Sequence, residues 1–366
     1  MALTLHGTVS DNTVALDRKT ATPLIINGDM AIDQRNSGSS VSVSSYGYVL
    51  DRFGFNCSGG GVFTAQRNTT VPTGQGFTYS QKLTVTTADS SIASADIYSL
   101  FHKVEANNTS FLQFGTSSAK TITLSFWVRS SVTGTFGVGF NNNAFNRSYV
   151  ATYSISSADT WEKKTITVAG DTSGTWTTDN TIGINISFDL GSGSNYETSA
   201  NAWSAGNFTR TSGSAQWIAT NSATFYITGV QLEVGTFDAN SIPDFQFEDR
   251  GTSLRRCQRY YYVHAEGLNK TIGAGANFSS SLLTCSVHFP TTMRSAPSLD
   301  QDTGTSYFRF SRSNNHDLFS SFTQLQRPSV NGVQLDNNSE ISGTQGDGGS
   351  VYTYNASAKI AFDSEL

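Results

Sequence analysis

The chain has 366 residues, a formal net charge of -5 and a sequence pI of about 5.5, so nucleic-acid phosphate finds no general attraction here. Hydrophobic residues make up 37%, aromatic 12% and charged only 14%, with 33 Gly and 6 Pro, so the core is drawn from Phe, Tyr, Val and Ile set among Ser, Thr, Asn and Gly. That is strand-and-turn chemistry, and the length suits two folded parts.

Met1–Pro23 is a short leader with weak alternation at Leu3 and Leu5 and charges at Asp17, Arg18 and Lys19. It is too small to bury a core alone and is expected to order by docking onto another molecule. Met1–Ser10 lacks the basic start and apolar run of a signal peptide, and no stretch approaches the ~18 apolar residues of a membrane span. The expectation is therefore no export signal and no membrane insertion. The odd count of three cysteines, Cys57, Cys257 and Cys285, predicts free thiols in a protein folded in a reducing cytosol.

From Leu24 strand signals recur: GYVLDRFGF (47–55), YSQKLTVTT (79–87), TITLSFWVRS (121–130), GTFGVGF (134–140), WEKKTITVAG (161–170) and TIGINISFDL (181–190). In TITLSFWVRS, Ile122, Leu124, Phe126 and Val128 share one face, and Thr123, Ser125, Trp127 and Arg129 share the other. Such spacing with almost no helical period predicts a jelly-roll β-sandwich.

The stretch ATFYITGVQLEVGT (223–236) alternates, then alternates again one position out of step, with Gly229 at the break. A bulge at Thr228 and Gly229 would return Phe225, Ile227, Val230, Leu232 and Val234 to one core and leave Gln231 and Glu233 outside. The other reading ends one strand at Gly229 and starts a second. Between Leu190 and Ala223 runs a Gly/Ser/Asn-rich excursion longer than the ~12–15 residues of an ordinary loop.

Thr236–Gly251, with Pro243 and the acids Asp238, Asp244, Glu248 and Asp249, stops alternating and reads as a linker over 237–251. Beyond it SLRRCQRYYYVHA (253–265), SSLLTCSVHF (280–289), SYFRFSRS (306–313) and SAKIAFDS (357–364) read as strands of a smaller C-terminal β-sandwich domain spanning 252–366.

The series LIINGDMAIDQRNSGSS, DRF at 51–53, KTITLSFWVRSSVTGTFGV, DTWEKKTITVAGDTSGTW and ATFYITGVQLEVGT, with SLRRCQRYYYV and FPTTMRSAP after it, resembles the fibre proteins of tailed bacteriophages. Those proteins carry a jelly-roll domain like a carbohydrate-binding module. The resemblance implies an all-β virion protein, a homotrimer, attached to other phage tail or capsid proteins through 1–23. It also implies a jelly roll over 24–236 and a C-terminal domain, 252–366, facing a host cell-surface glycan. The alternatives it leaves are a capsid-mounted head fibre and a polysaccharide-degrading tailspike. Related jelly rolls often hold calcium through an acid in the strand equivalent to FYITGV. Thr228 stands in that place, so no metal and no cofactor is expected.

No nucleophile elbow, phosphate loop or HExxH helix is present, and the reading is that of a non-enzyme. Asp89, Asp96, Glu105, Asp189 and Glu197 fall in polar stretches where solvated carboxylates are the default. Sugar binding draws on aromatic faces flanked by hydroxyl-binding side chains. Tyr196, Trp203 and Trp217 in the excursion, and Tyr307 and His316 in the C-terminal part, are the candidates; for Trp203 and Trp217 the preferred alternative is that they anchor the long loop onto the sandwich or fill the contact between protomers.

Overall fold

The computed structural model describes residues 22–313 and 315–366. The virion-attachment segment expected over 1–23 lies outside the described residues except for Thr22 and Pro23.

Thirteen strands follow: β1 (Val41–Val43), β2 (Gly47–Leu50), β3 (Phe53–Ser58), β4 (Val62–Asn68), β5 (Ser80–Thr87), β6 (Ile97–Glu105), β7 (Ile122–Ser130), β8 (Gly134–Asn141), β9 (Arg147–Ile155), β10 (Glu162–Val168), β11 (Ile182–Asp189), β12 (Trp203–Ala205) and β13 (Thr224–Val234). They form a six-stranded sheet, β1-β4-β5-β13-β7-β10, and a seven-stranded sheet, β12-β9-β8-β11-β6-β3-β2. The pairings are antiparallel, and the chain passes repeatedly between the sheets, as a jelly-roll sandwich requires. The inward faces meet in one core. On β7, Ile122, Leu124, Phe126 and Val128 are fully buried, while Trp127 and Arg129 on the other face reach solvent.

The phase change in β13 is a bulge. Thr228 sits opposite Trp127 and Gln231 opposite Ser125, so three steps on β13 match two on β7. Gly229 carries the extra residue at φ 62, where a Cβ would lie 2.5 Å from the Phe77 ring. Phe225, Ile227, Val230 and Leu232 all join the core as expected. Val234 does not: at the strand's end it is 37% exposed.

The C-terminal body contains β14 (Tyr261–Glu266), β15 (Thr271–Ser279), β16 (Leu282–His288), β17 (Ser298–Asp302), β18 (Phe308–Arg312), β19 (Asn315–Phe319), β20 (Gln324–Gln326), β21 (Gly332–Asn337), β22 (Gly348–Thr353) and β23 (Lys359–Asp363). A three-stranded sheet, β14-β23-β17, and a seven-stranded sheet, β19-β18-β22-β15-β16-β21-β20, enclose a second core that includes Leu283, Phe308, Phe310, Val351 and Phe362.

One segment departs from its predicted type. Arg250–Gln258, which takes in the end of the expected linker and 253–258 of the stretch read as a strand, is a helix, α1. The Asp249 carboxylate accepts from the N–H groups of Gly251 (2.9 Å) and Thr252 (3.1 Å), capping two of the donors a helix leaves open. Leu254 and Cys257, three positions apart, place one apolar stripe against Ile26, Ile32 and Tyr260. The strand starts only at Tyr261.

Candidate functional site at the seam between the two bodies

The five residues named from the sequence do not converge. Trp217 lies in the core with no exposed surface, its ring edge-on to Phe63 at 5.8 Å and Phe225 at 6.4 Å. A sugar needs a free ring face, so Trp217 is corrected to a loop anchor. Trp203, half-buried in β12, donates from Nε1 to the Ala169 carbonyl at 2.7 Å and nests among Trp176 (5.4 Å), Tyr149 (5.5 Å) and Phe114 (5.9 Å). Tyr196 occupies a 3-10 turn, half-buried, with its hydroxyl 3.5 Å from the Ala95 carbonyl. In the C-terminal body Phe308 pairs with Phe319 and Ser311 with His316. Tyr307 and His316 therefore stand at opposite ends of the β18–β19 hairpin, the first half-buried and the second exposed.

The excursion that carries Tyr196, Trp203 and Trp217 is laid over the outer face of the seven-stranded sheet. Gly137 and Gly139 admit it: a Cβ at either would meet the backbone oxygen of Thr209 at 2.5 Å or of Phe208 at 2.6 Å. Arg210 is buried there, donating to the carbonyls of Ser192 and Ser214, with Asp189 at 3.9 Å and Glu197 at 3.6 Å. Asp189 and Glu105, expected as solvated carboxylates, are 0% and 1% exposed. Burial raises Asp189 to about 6 against the pull of Arg210 and the Ser192 and Gly191 N–H groups.

A deep concavity opens elsewhere, where residues 22–29, the turn after β6, the end of β13, the 237–248 segment and α1 meet. Its volume is about 890 Å³. The backbone oxygen of Gly28 accepts from the Val230 N–H at 3.0 Å, fixing the entering chain beside the bulged strand. Arg256 on α1 holds Glu248 at 2.6 Å with one nitrogen and the Pro23 carbonyl at 2.5 Å with another, so the helix ties both crossing segments to the rim.

Glu105 is the deepest charge on this wall. Burial alone would raise its pKa; the Arg259 guanidinium (2.6 and 3.0 Å), the Tyr260 hydroxyl (2.7 Å) and Asn107 (3.2 Å) outweigh that and hold it below the usual range. Asp29, also on the wall, is raised by burial against the Ala31 N–H. Asn107 and Asn108 supply amides, and Phe111, 45% exposed, stands at the rim with the Lys120 ammonium 5.4 Å from its ring centre. Amides, fixed charges and an aromatic edge around an open space suit a ligand rich in hydroxyl groups.

Sequence reasoning missed this cleft, although the N–N dipeptide at 107–108 and the acid-to-Arg run at 248–259 were visible. Among the described residues no group of three His, Cys, Asp or Glu side chains is placed to hold a metal ion. Thr228, at the position where the resemblance puts a calcium ligand, is buried and donates to the Tyr79 carbonyl at 2.7 Å. No described helix is long and apolar enough to cross a membrane.

No protein-family model and no curated protein matches the chain. Solved structures do. The enzymatically active domain of bacteriophage CBA120 tailspike protein 4 aligns at 10% identity and TM-score 0.30, over 58% of this chain and 21% of that one. The family 11 carbohydrate-binding module from Clostridium thermocellum, solved with a β-1,3-1,4-mixed-linked tetrasaccharide, aligns at 12% identity and TM-score 0.29, over 54% and 97%. The xylan-binding domain from Paenibacillus barcinonensis aligns at 9% and 0.26, over 56% and 99%. Carbohydrate-binding modules and a phage tailspike are what this chain's β-architecture is similar to.

Proposed function

We propose that the chain is a non-catalytic fibre subunit of a tailed-phage virion, assembled as a homotrimer, that binds a host-surface glycan in the seam cleft. The observation that carries the reading is the cleft itself. Asn107 and Asn108, with Glu105 and Arg259 already locked to each other, offer donors and acceptors that do not have to reorganise when a polyhydroxyl ligand arrives. Three such sites on one rigid particle convert weak single contacts into firm adsorption. The exposed Phe111 and Val234 at the rim leave apolar surface for the ligand or a sister chain.

The rival reading, a polysaccharide-cleaving spike, is favoured by Asp29, a wall carboxyl whose pKa burial raises, as an acid catalyst requires. Against it, Glu105 and Glu248 are both held in ion pairs with arginines. The test is titration of host capsule and lipopolysaccharide fragments into the full chain, with an assay for new reducing ends on the same samples. Binding that weakens about tenfold in Phe111→Ala, with no new ends, is the expected result, since tenfold is about 1.4 kcal/mol of contact. New reducing ends that vanish in Asp29→Asn would replace the proposal by the spike. Particles labelled for this chain at the capsid alone would move it from tail fibre to head fibre.

A further inference from the structure

The outer face of the six-stranded sheet carries a second concavity, about 280 Å³, which shares Gln231 and Phe245 with the seam cleft but has Gln75, Lys163 and Asp244 at its own mouth. Its floor is Ser125 and Trp127 on β7, beside the β13 bulge. Because the bulge carries β13 away from β5 after Ile227, the ring of Phe77 fits against Gly229. Phe245 and Phe247 then pack on Phe77, each at 5.1 Å, and on one another at 4.9 Å. The resulting wall ends in Phe247, which is 50% exposed.

Gln231 supplies the second, independent observation. The residue is 8% exposed; its Nε2 donates to the Pro243 carbonyl at 2.9 Å, while its Oε1 is buried with no hydrogen-bond partner. A buried acceptor left without a donor is costly, and such a group calls for a partner the chain does not supply. Around the mouth, Gln75, Lys163 and Asp244 are exposed and make no side-chain hydrogen bond or ion pair within the described residues.

We infer that this groove is a separate binding subsite for one or two rings of a neutral saccharide. Phe247 and Trp127 present apolar ring surface to the C–H face of a pyranose. Sugar hydroxyls donate to Gln231 Oε1 and Asp244 and accept from Lys163 and Gln75. One cation and one anion at the mouth leave no net charge to select an acidic sugar, and the volume falls just below the roughly 300–1,000 Å³ of drug-sized pockets. The subsite deepens the glycan-recognition reading but uses none of the Phe111 side of the cleft.

The probes are glucose, galactose and N-acetylglucosamine with cellobiose, lactose and chitobiose, and glucuronate as the charged control, added to the full chain. Saturation transfer from protein to sugar and the indole N–H signal of Trp127 are read together. At least one neutral sugar is expected to shift the Trp127 signal saturably at a Kd on the order of 1–10 mM. Transfer should fall at least tenfold in Gln231→Leu and in Lys163→Ala and stay unchanged in Phe111→Ala. Gln231→Leu should unfold within a few degrees of the wild type, because it removes the unpaired acceptor and the Nε2 bond to Pro243 together and the two effects oppose each other. No shift with any of the six sugars, full transfer in Gln231→Leu, or a preference for glucuronate would overturn the inference. Because Gln231 also lines the seam cleft, Lys163→Ala, which does not, separates the two sites, and failure of the cleft itself is read from host glycan binding in Phe111→Ala.

Discussion

His102 lies on β6 between Leu100 and Val104 and faces the core with them, its ring 4.8 Å from that of Phe53. Neither ring nitrogen makes a hydrogen bond of normal geometry, although the Arg52 backbone lies near enough to favour the protonated ring slightly. Burial first, then the charges of Arg52 and Arg256, hold its pKa well below 6.5, so the folded protein keeps the ring neutral. The unfolded chain binds a proton there as pH falls below about 6.5, and the native state loses stability by up to about 1.4 kcal/mol per pH unit. Asp51 and Asp189 act with the opposite sign. Burial raises each from 3.8 to about 6, so the native state takes up protons first. Their contribution grows as pH falls from 6 towards 3.8 and is absent above 6. In His102→Phe the His102 contribution is gone and the others, that of His264 among them, are common to both proteins. Urea unfolding at pH 7 and pH 4.5 should therefore show the variant gaining about 2–3 kcal/mol on the wild type between the two, the linkage value for two pH units. An identical change in both proteins would mean that His102 is protonated in the fold.

At the scale of the element, β13 shows what a single glycine does. Gly229→Ala forces a side chain into φ 62 and against the Phe77 ring, so the strand must either lose its bulge or push out the aromatic wall. A loss of about 2–3 kcal/mol is expected, with the Phe77–Phe245–Phe247 packing disturbed, measurable by denaturant unfolding. A loss below about 0.5 kcal/mol would show that the bulge relocates freely. This feature was legible in the sequence because strand alternation has period two, and one extra residue shifts every later side chain. The ladders of β7 and β10 were legible for the same reason. Helix α1 was not, since its docking stripe meets Ile26 and Ile32, more than 200 positions earlier, and nothing local records that partner. The cover over the seven-stranded sheet did leave a signal in GTFGVGF: Gly137 and Gly139 share one strand face, where a sheet that meets only side chains or solvent has no use for them. Trp203 and Trp217 were visible as aromatic side chains in a polar loop, but residue type carries no record of burial, and the two came to differ only through the turn that drops Trp217 between Phe63 and Phe225.

Across the whole molecule the two bodies are joined mainly by buried charge. Arg52 stacks on Tyr260 at 3.5 Å, donates to the Lys103 carbonyl at 2.5 Å and pairs with Glu365; Arg35 stacks on Tyr261 at 3.5 Å and reaches Asp363 and Glu365 at 3.3 Å. Arg294 adds bonds to the carbonyls of Asn180, Ser364 and Glu365. The apolar part of the seam is small, Ile26, Ile32, Cys257 and Tyr260 at its centre, whereas each body has a separate core of its own. Truncating one member of a buried pair strands its partner in low dielectric at a cost of about 3–5 kcal/mol; here Arg35 still reaches Glu365, so the cost is smaller, and it falls on the seam and leaves either sandwich intact. Arg52→Met is therefore expected to split one calorimetric unfolding transition into two, the lower one belonging to the body that relied on its neighbour. Since Arg259 and Tyr260 form the floor of the cleft, host-glycan binding should fall with it. Arg52→Met combined with Glu365→Gln should recover part of the loss, because the second change removes a carboxylate left with only the 3.3 Å Arg35 contact, and a double-mutant cycle would give a coupling above about 1 kcal/mol. A single sharp transition in Arg52→Met at nearly the wild-type temperature would mean that the seam is held by its apolar patch, and the ion pairs would then carry specificity of docking alone.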